Sequence, residues 1–405
     1  MKKLWPLFVC LVVLVGGIAL SFPFFALYLH HHKGIPMGWV GFFLFLSVVA
    51  GACSSAIGGE LSDHWGRKRV MVFSLFLSCV VTLGMAFAIW KNVPAGWLIL
   101  IHIVRSFLGQ AFDPTARGWV ADQFPSHQRA RAYSFLRTAH NLGWAIGPAL
   151  GGFLAESSYF LLFLLTGTCI FFCWIWILMA LPDQSIVGTQ MHWRLREMWL
   201  SLKDPRFSSY LIYVFFLGAL MGQLITTFSV HAFDFVHVSE RQIGLLFSLN
   251  GACVVCLQVL ATRFLTRWRL THCLAWGSLI YAVGFCGVGF ATTFWHLAIA
   301  VIIVTLGEVS VSPSLPTLAA NLAPAPIRGR YIGMQGLAHM LGWAMGPLVG
   351  GWGLQTLSVV YPWLTWVLLS CLGVAAARGF WTLQKDIQES EDGLLVEVVV
   401  PQGAV

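Results

Sequence analysis

Two stretches of the chain have nearly the same sequence, and they constrain the fold more than any other feature. Residues 140–152 read HNLGWAIGPALGG, and residues 339–351 read HMLGWAMGPLVGG, 199 positions further along. Over the longer window 129–152, 12 of 24 positions are identical to their partners at this offset. The chain is therefore predicted to contain two copies of one unit, each nearly half of its length.

The composition indicates a membrane protein. Hydrophobic residues make up 58% of the chain and charged residues only 10%, whereas a soluble domain carries about 25% charged residues. A spanning helix needs about 20 mainly apolar residues. Twelve segments satisfy this requirement, at approximately 5–30, 38–60, 70–91, 96–121, 132–155, 159–181, 207–233, 241–263, 273–291, 295–321, 331–355 and 360–382.

The repeat divides these segments into two equal groups. We predict an all-α membrane protein with twelve transmembrane helices in two pseudo-symmetric six-helix halves. The predicted parts are an N-terminal half (1–181), a cytoplasmic linker (182–206), a C-terminal half (207–382) and an acidic, loosely ordered cytoplasmic tail (383–405).

The lysines and arginines predict the orientation. With the N-terminus in the cytoplasm, 20 of them fall on the inner side and three, Lys33, Lys91 and Arg241, on the outer side. Positive residues prefer cytoplasmic loops, so both termini are expected in the cytoplasm and the protein in the plasma membrane (the cell inner membrane of a bacterium). These cations lie beside anionic lipid headgroups, and membrane lipids rather than nucleic acid are therefore the expected partners of the +8 net charge.

A long motif stands between the second and third segments. Residues 59–69 read GELSDHWGRKR and fit the pattern G-x-L-S-D-x-x-G-R-K-R. With twelve helices in two like halves, this chain resembles the major facilitator superfamily over residues 5–382. The resemblance implies that the motif latches the cytoplasmic side in the outward-open state. It also implies a charge network of Asp63, Arg67 and Asp122. Gly59 and Gly66 are themselves suited to close approach and a tight turn, because glycine has no side chain. A solvated loop that only sets the topology is the alternative.

A second motif occupies segment five. Residues 143–152 fit G-x-x-x-G-P-x-x-G-G and resemble the motif of the drug–proton antiporter branch of that superfamily. Small residues let helices approach closely, and a proline removes one helical hydrogen bond. We therefore predict a close-packed, bendable seam at Gly143, Gly147, Pro148, Gly151 and Gly152. Glycine and proline are common in membrane helices in any case, which is the alternative.

Two acids lie well inside expected spans, and Arg105 is the one cation that the orientation assigns to neither side. Arg105 resembles the arginine of another superfamily motif, and a cation there costs at least ~2.5–3.5 kcal/mol unless it faces a partner or a watery cavity. Glu308 and Asp113 are the two intramembrane acids, and an apolar environment favours a carboxyl that binds a proton. The antiporter branch often has an acid in segment one, which residues 5–29 lack, so we assign proton coupling to Glu308 and Asp113. Structural carboxyls and a static arginine contact are the alternatives.

Aromatic residues and histidines complete the set of candidates. Trp144 and Trp343 recur at equivalent intrahelical positions and are predicted to line a cavity. His140 and His339 recur as well, either for packing or as proton relays. Adjacent side chains on a helix point in different directions, so His30-His31-His32 is predicted to be a solvated helix end, and no metal site is expected.

Together these features favour a secondary active transporter and not an enzyme. We expect proton-coupled export of small hydrophobic compounds or drugs by alternating access, by a monomer without a cofactor, with a substrate site between the repeats. The sequence contains no G-x-x-x-x-G-K-[ST] loop, so ATP is not the expected energy source. The alternatives are transport of a defined metabolite such as a sugar, transport of a lipid, or a non-transporting receptor or scaffold.

Overall fold

The computed structural model describes residues 2–182, 199–265, 268–324 and 327–393. Within these ranges the chain forms α-helices joined by short connections. Linker residues 183–198, with Arg194 and Arg196, and tail residues 394–405 lie outside the described residues.

The first half of the chain supplies seven α-helices within the described residues. They are α1 (Trp5–Leu27), which continues as a π-helical turn (Tyr28–His32), α2 (Met37–Trp65), α3 (Arg67–Trp90), α4 (Ala95–Gly109), α5 (Phe112–Gln123), α6 (Ser126–Ser157) and α7 (Tyr159–Ala180).

The second half supplies seven more within those ranges. They are α8 (Pro205–Met221), α9 (Thr227–Asp234), α10 (Glu240–Leu265), α11 (Leu270–Gly289), α12 (Phe294–Leu322), α13 (Arg328–Thr356) and α14 (Leu364–Leu383). Asp204 caps α8, since its Oδ1 accepts from the backbone N–H of Arg206 at 2.9 Å.

Eight helical stretches within the described ranges are long and apolar enough to cross a membrane, counting α4 and α5 as one. The other four expected spans correspond to α6, the pair α8–α9, α10 and α13. They are more polar or interrupted. The main contacts with the opposite half are made by α6, which packs on α10, and by α13, which packs on α2, so part of the surface of α6, α10 and α13 faces protein instead of lipid.

The two repeated motifs occupy equivalent places. α6 packs between α1 of its own half and α10 of the other, and α13 packs between α8 and α2. The approach is close enough to require glycine. A methyl group on Gly244 would lie 2.5 Å from the carbonyl oxygen of Pro148, and one on Gly41 would lie 2.1 Å from that of Pro347. The repeat thus builds both main contacts between the halves.

Segments four and seven are each broken into two helices, although each pair of helices still corresponds to one expected span. Pro114 lacks the N–H that would bond to the carbonyl of Gln110, where α4 ends and α5 begins. Between α8 and α9, the side chain of Gln223 donates to the carbonyl of Ala219 at 3.0 Å and accepts from the Thr227 hydroxyl at 2.7 Å. These bonds satisfy polar groups at the break.

The motif at 59–69 is mostly helical, although it was expected to be a loop. α2 continues to Trp65 and α3 begins at Arg67, so Gly66 alone connects them. Its φ of 94° lies in the region that favours glycine. Gly59 and Asp63 therefore occupy the last turns of α2.

The two ends of the helix bundle differ in charge. We call the end with Arg67, Lys68, Arg69, Arg206 and Arg269 the basic end, and the end with residues 30–32 the histidine end.

The start of the acidic tail is packed against the basic end. Asp392 is buried and accepts from the backbone N–H and the hydroxyl of Thr271, at 2.8 and 2.6 Å. Glu391 pairs with Arg206 at 3.1 Å. The expectation of loose order was thus wrong for residues 384–393. Carboxylates are stabilised here by basic side chains and by the N-terminal end of α11.

Candidate functional site

Two adjoining cavities lie between the halves. The larger, of about 410 Å³, extends into the first half, and the smaller, of about 350 Å³, extends into the second. They share four lining residues from both halves: His140, Trp144, Ile225 and Trp343. This position, between two like units, matches the expected place of a substrate site.

Aromatic rings separate the two cavities. Phe22 of α1 stacks on Trp343 at a centroid distance of 6.1 Å and meets Trp144 edge-on at 6.2 Å. The indole N–H of Trp144 donates to Nε2 of His140 at 3.2 Å. Both repeated tryptophans therefore lie at the cavity wall. Their rings offer flat apolar surfaces to a ligand. Phe22 belongs to none of the sequence motifs, and only its aromatic type could have suggested a place at the cavity.

Glu308 of α12 lines the smaller cavity. The side-chain amide of Asn250 donates to its Oε2 at 3.0 Å and to the Thr305 hydroxyl at 2.9 Å. Among the described residues, no basic side chain forms an ion pair with Glu308. An unpaired carboxyl that reaches a cavity is suited to take up and release a proton.

Arg105 of α4 lines the larger cavity and is only 7% exposed. Within the described chain its Nε has no hydrogen-bond partner, and neither ring nitrogen of His102 has one. His102 stacks on Phe25 with centroids 4.3 Å apart. Among the described residues, no acid forms an ion pair with Arg105, so this wall carries a positive charge. Sequence reasoning missed His102, although its position one turn before Arg105 places both on one helix face.

Asp113 also lines the larger cavity, but its carboxylate is engaged. Its Oδ2 accepts from Nε of Arg117 at 2.8 Å, and 46% of its side chain is exposed. The two intramembrane acids thus border different cavities, and Asp113 has a cation beside it where Glu308 has an amide.

The charged residues of the motif at 59–69 come together as the resemblance implied. Arg67 pairs with Asp63 one turn earlier and with Asp122 of α5 at 3.0 Å. It also donates to the Ser62 hydroxyl at 2.6 Å, a contact that sequence reasoning missed. A methyl group on Gly118 would lie 2.6 Å from the guanidinium. The Arg67 side chain therefore bridges α2, α3 and α5.

The glycines of residues 143–152 face two neighbours. Methyl groups on Gly147 and Gly151 would lie 2.5 and 2.2 Å from the carbonyl oxygens of Gly16 and Leu20 in α1. One on Gly152 would lie 2.4 Å from that of Glu240, at the start of α10. Gly143 likewise meets the backbone of Gly16. The predicted close packing is therefore present on both sides of α6.

Polar contacts join the halves at the histidine end. Nε2 of His31 lies 2.7 Å from Oδ1 of Asp234, and Nε2 of His30 lies 3.5 Å from Oδ2. The backbone N–H of Gly38 donates to Gln355 at 2.8 Å. Two of the three histidines thus share one carboxylate, so the prediction of a merely solvated helix end was wrong. The π-helical turn and the facing Asp234 were not readable from local sequence.

Known proteins identify the family that has this architecture. The sequence model of the Major Facilitator Superfamily matches residues 7–236 and again residues 229–393. The chain belongs to the Major Facilitator Superfamily. It is accordingly a membrane transporter with a small-molecule substrate and not an enzyme.

Relatives in this superfamily match most of the chain at low identity. The multidrug resistance protein MdtH of Yersinia enterocolitica is 26% identical over 94% of this chain and 94% of its own length. The quinolone resistance protein NorA of Staphylococcus aureus is 25% identical over 86% and 89%. The uncharacterised transporter YdeE of Escherichia coli is 25% identical over 90% and 91%.

Solved structures of the superfamily share the fold. A peptide transporter of the POT type superposes with a TM-score of 0.79 at 15% identity, covering 97% of this chain and 96% of its own. The nucleoside transporter NupG superposes with a TM-score of 0.78 at 16% identity, covering 95% and 100%. At these identities the likeness concerns the fold alone.

Proposed function

We propose that this transporter exports small hydrophobic compounds and is driven by the inward movement of protons. The observation that carries the proposal is Glu308, an acid that lies at a cavity lined by both halves and forms no ion pair among the described residues. Arg137 of α6 interacts with it electrostatically from the other half without pairing with it. A group that exchanges a proton at the substrate cavity can couple proton movement to substrate movement. Substrate and proton then either compete for the same conformation or bind to it together.

The walls of the cavity support a hydrophobic substrate. Trp144, Trp343 and Phe22 present aromatic surfaces, and Ile225, Met221 and Leu224 add aliphatic ones. Apolar walls with a few convergent polar groups are typical of sites for drug-sized molecules. Two of the relatives named above carry drug-resistance names, which agrees with this substrate class.

Glu308 is the proposed principal proton carrier, and Asp113 is the second candidate. Asp113 is paired with Arg117 and half exposed, whereas Glu308 forms no ion pair among the described residues. Each proton that moves inward down the membrane potential supplies about 2.3 kcal/mol per 100 mV.

Alternating access would then proceed by rocking of residues 1–181 against residues 207–382. The closed contacts at the histidine end would open as the basic end closes. The Arg67 network, which lies within residues 1–181, would fix α2, α3 and α5 in the arrangement that lets the basic end close against the second half. The glycine contacts of α6 and α13 allow the halves to move on close backbone surfaces. We place the basic end and both termini in the cytoplasm and the transporter, as a monomer, in the plasma membrane.

The test combines cells and vesicles. Cells with the wild-type protein should resist a panel of toxic aromatic compounds, and cells with Glu308→Gln should not. Inside-out vesicles should accumulate a fluorescent member of that panel when they are acidified inside. Wild-type vesicles that accumulate none of the panel compounds under a pH gradient would refute drug export.

Transport of a defined polar metabolite is the second candidate. The larger cavity favours it, because Arg105, His102, Gln110 and Asp113 gather there with several serines. Such a transporter would give no broad resistance, and competition assays in vesicles would find one preferred solute. A lipid substrate would instead be displaced by detergent-like amphiphiles.

A further inference from the structure

We propose that His30, His31 and Asp234 bind a divalent transition-metal ion, Zn²⁺ in the first instance, at the histidine end. The two histidines come from the turn after α1, and Asp234 ends α9, so the ion would connect the two halves. One ligand atom from each of the three side chains lies within 4.8 Å of the others. This inference does not depend on what is transported.

The donor set fits zinc. Two imidazole nitrogens and one carboxylate oxygen are ligands that Zn²⁺ accepts at about 2.0–2.2 Å, with water in the fourth position. Nε2 of His31 and Nε2 of His30 lie 2.7 and 3.5 Å from the two oxygens of Asp234. Ligands around a tetrahedral ion are separated by similar distances, so small side-chain movements suffice.

The tautomer of His30 points the same way. Its Nδ1 lies 2.8 Å from the carbonyl oxygen of Ile35. A carbonyl can only accept, so Nδ1 carries the hydrogen and donates it. In a neutral ring Nε2 then has its lone pair directed at the Asp234 carboxylate. A bound cation would accept the lone pair of Nε2 and a lone pair of the Asp234 carboxylate. A ring N–H that donates to a backbone carbonyl is the usual second contact of a metal-binding histidine.

Neighbouring groups leave this position open to an ion. The side chains of His30, His31 and Asp234 are 29%, 32% and 23% exposed, so solvent reaches them. The nearby Lys33 amino group is directed elsewhere, donating to Asn92 at 2.6 Å and to the carbonyl of Val93 at 2.9 Å. Among the described residues, no lysine amino group therefore competes with an ion for the Asp234 carboxylate.

His32 serves as an internal control. It belongs to the same run of histidines, but its ring stacks on Tyr28 at a centroid distance of 5.4 Å and meets Tyr159 edge-on at 4.9 Å. It does not belong to the cluster of three ligands. A site built by geometry needs His30 and His31 and not His32, whereas nonspecific binding to a histidine-rich segment would need all three.

A bound ion would hold the end of α1 to the end of α9. Opening of the histidine end must separate α1 from α9. The ion should therefore favour the arrangement described here and slow transport. The proposed consequence is inhibition by micromolar zinc from the side that the charge pattern predicts to be extracellular.

Binding is measured first, on full-length protein purified with a tag that contains no histidine. Competition with a chromophoric zinc indicator should show one site per chain. His30→Gln, His31→Gln and Asp234→Asn should each weaken binding by about tenfold or more, and His32→Gln should leave it unchanged. No stoichiometric binding to wild-type protein, or equal binding after all three substitutions, would overturn the proposal.

A second measurement covers variants that fold poorly. Zinc should raise the melting temperature of the wild-type protein and of His32→Gln, since a ligand that binds the folded state stabilises it. It should not raise that of His31→Gln, which retains the His30–Asp234 pair. A rise of equal size in His31→Gln would assign the binding to another site and refute the proposed one.

Discussion

The side-chain amide of Asn250 donates to Oε2 of Glu308 over 3.0 Å and joins α10 to α12 beside the smaller cavity. An amide N–H can donate to a carboxylate or to the carbonyl oxygen of a protonated carboxyl. The contact therefore orients Glu308 in both states without fixing its charge, unlike the arginine that pairs with Asp113.

The first prediction concerns this carboxyl. Glu308→Gln keeps the size of the side chain but cannot exchange a proton. The variant should lose concentrative transport driven by a pH gradient while it still binds substrate, measured by quenching of tryptophan fluorescence. Glu156→Gln, at an exposed position near the end of α6, is the control and should transport normally. If Glu308→Gln still concentrates substrate, the proton is carried elsewhere, with Asp113 as the next candidate.

The second prediction concerns the Arg67 network. Asp63→Asn and Asp122→Asn each remove one carboxylate from Arg67. Both carboxylates are more than 40% exposed, so each substitution should cost less than ~1 kcal/mol of stability. Transport should fall strongly, because the network is proposed to fix α2, α3 and α5 in the arrangement that lets the basic end close.

Glu60→Gln is the matched control for this network. It removes a negative charge from the same last turns of α2 but not from the Arg67 cluster. Transport rates in vesicles and melting temperatures separate the two effects. If both aspartate variants transport at the wild-type rate, the network has no role in transport and the motif only sets the topology.

The third prediction concerns the packing of α6 on α1. A methyl group on Gly147 would lie 2.5 Å from the carbonyl oxygen of Gly16, and that backbone cannot easily move. Gly147→Ala should therefore destabilise the protein by ~1–3 kcal/mol and reduce transport. Gly336→Ala, where nothing lies within 4 Å of the added methyl, should be neutral or slightly stabilising. Equal melting temperatures for the two variants would contradict the close-packed seam.

The fourth prediction concerns Arg105, whose Nε has no partner within the described chain. Arg105→Met preserves much of the side-chain volume and removes a costly intramembrane cation. We expect a higher melting temperature together with loss of transport. Arg117→Met, at a side chain that is 67% exposed, should leave the melting temperature nearly unchanged. A lower melting temperature for Arg105→Met would show that the arginine holds the helices together.

The internal repeat explains why so much of the architecture was predictable. Residues 140–152 and 339–351 have to pack alike in both halves, and the apolar segments leave few other folds. The motif at 59–69 likewise indicated that Asp63, Arg67 and Asp122 belong together. These features could be predicted because they depend on residue type: glycines permit close packing of helices, and residues of opposite charge form pairs.

Other features depend on tertiary partners that no local pattern reveals. The break at Gln223 is stabilised by its own side chain, and the pairing of His31 with Asp234 joins residues about 200 positions apart. His102 was missed because a histidine in an apolar helix is usually a packing residue. The packed tail was missed because its acids find Arg206 and Thr271 only in the folded chain.

The last prediction concerns that tail. Asp392 accepts two hydrogen bonds from Thr271, one from the backbone N–H in the first turn of α11 and one from the hydroxyl, and it is fully buried. Removing the carboxylate leaves a buried helical N–H without a partner. Asp392→Ala should thus cost ~1–2 kcal/mol, seen as a lower melting temperature of the purified protein. Asp386→Ala, at an exposed position six residues earlier, should cost less than ~0.5 kcal/mol. Similar losses in both variants would mean that the tail contributes only net charge and that the contact with Thr271 does not stabilise the fold.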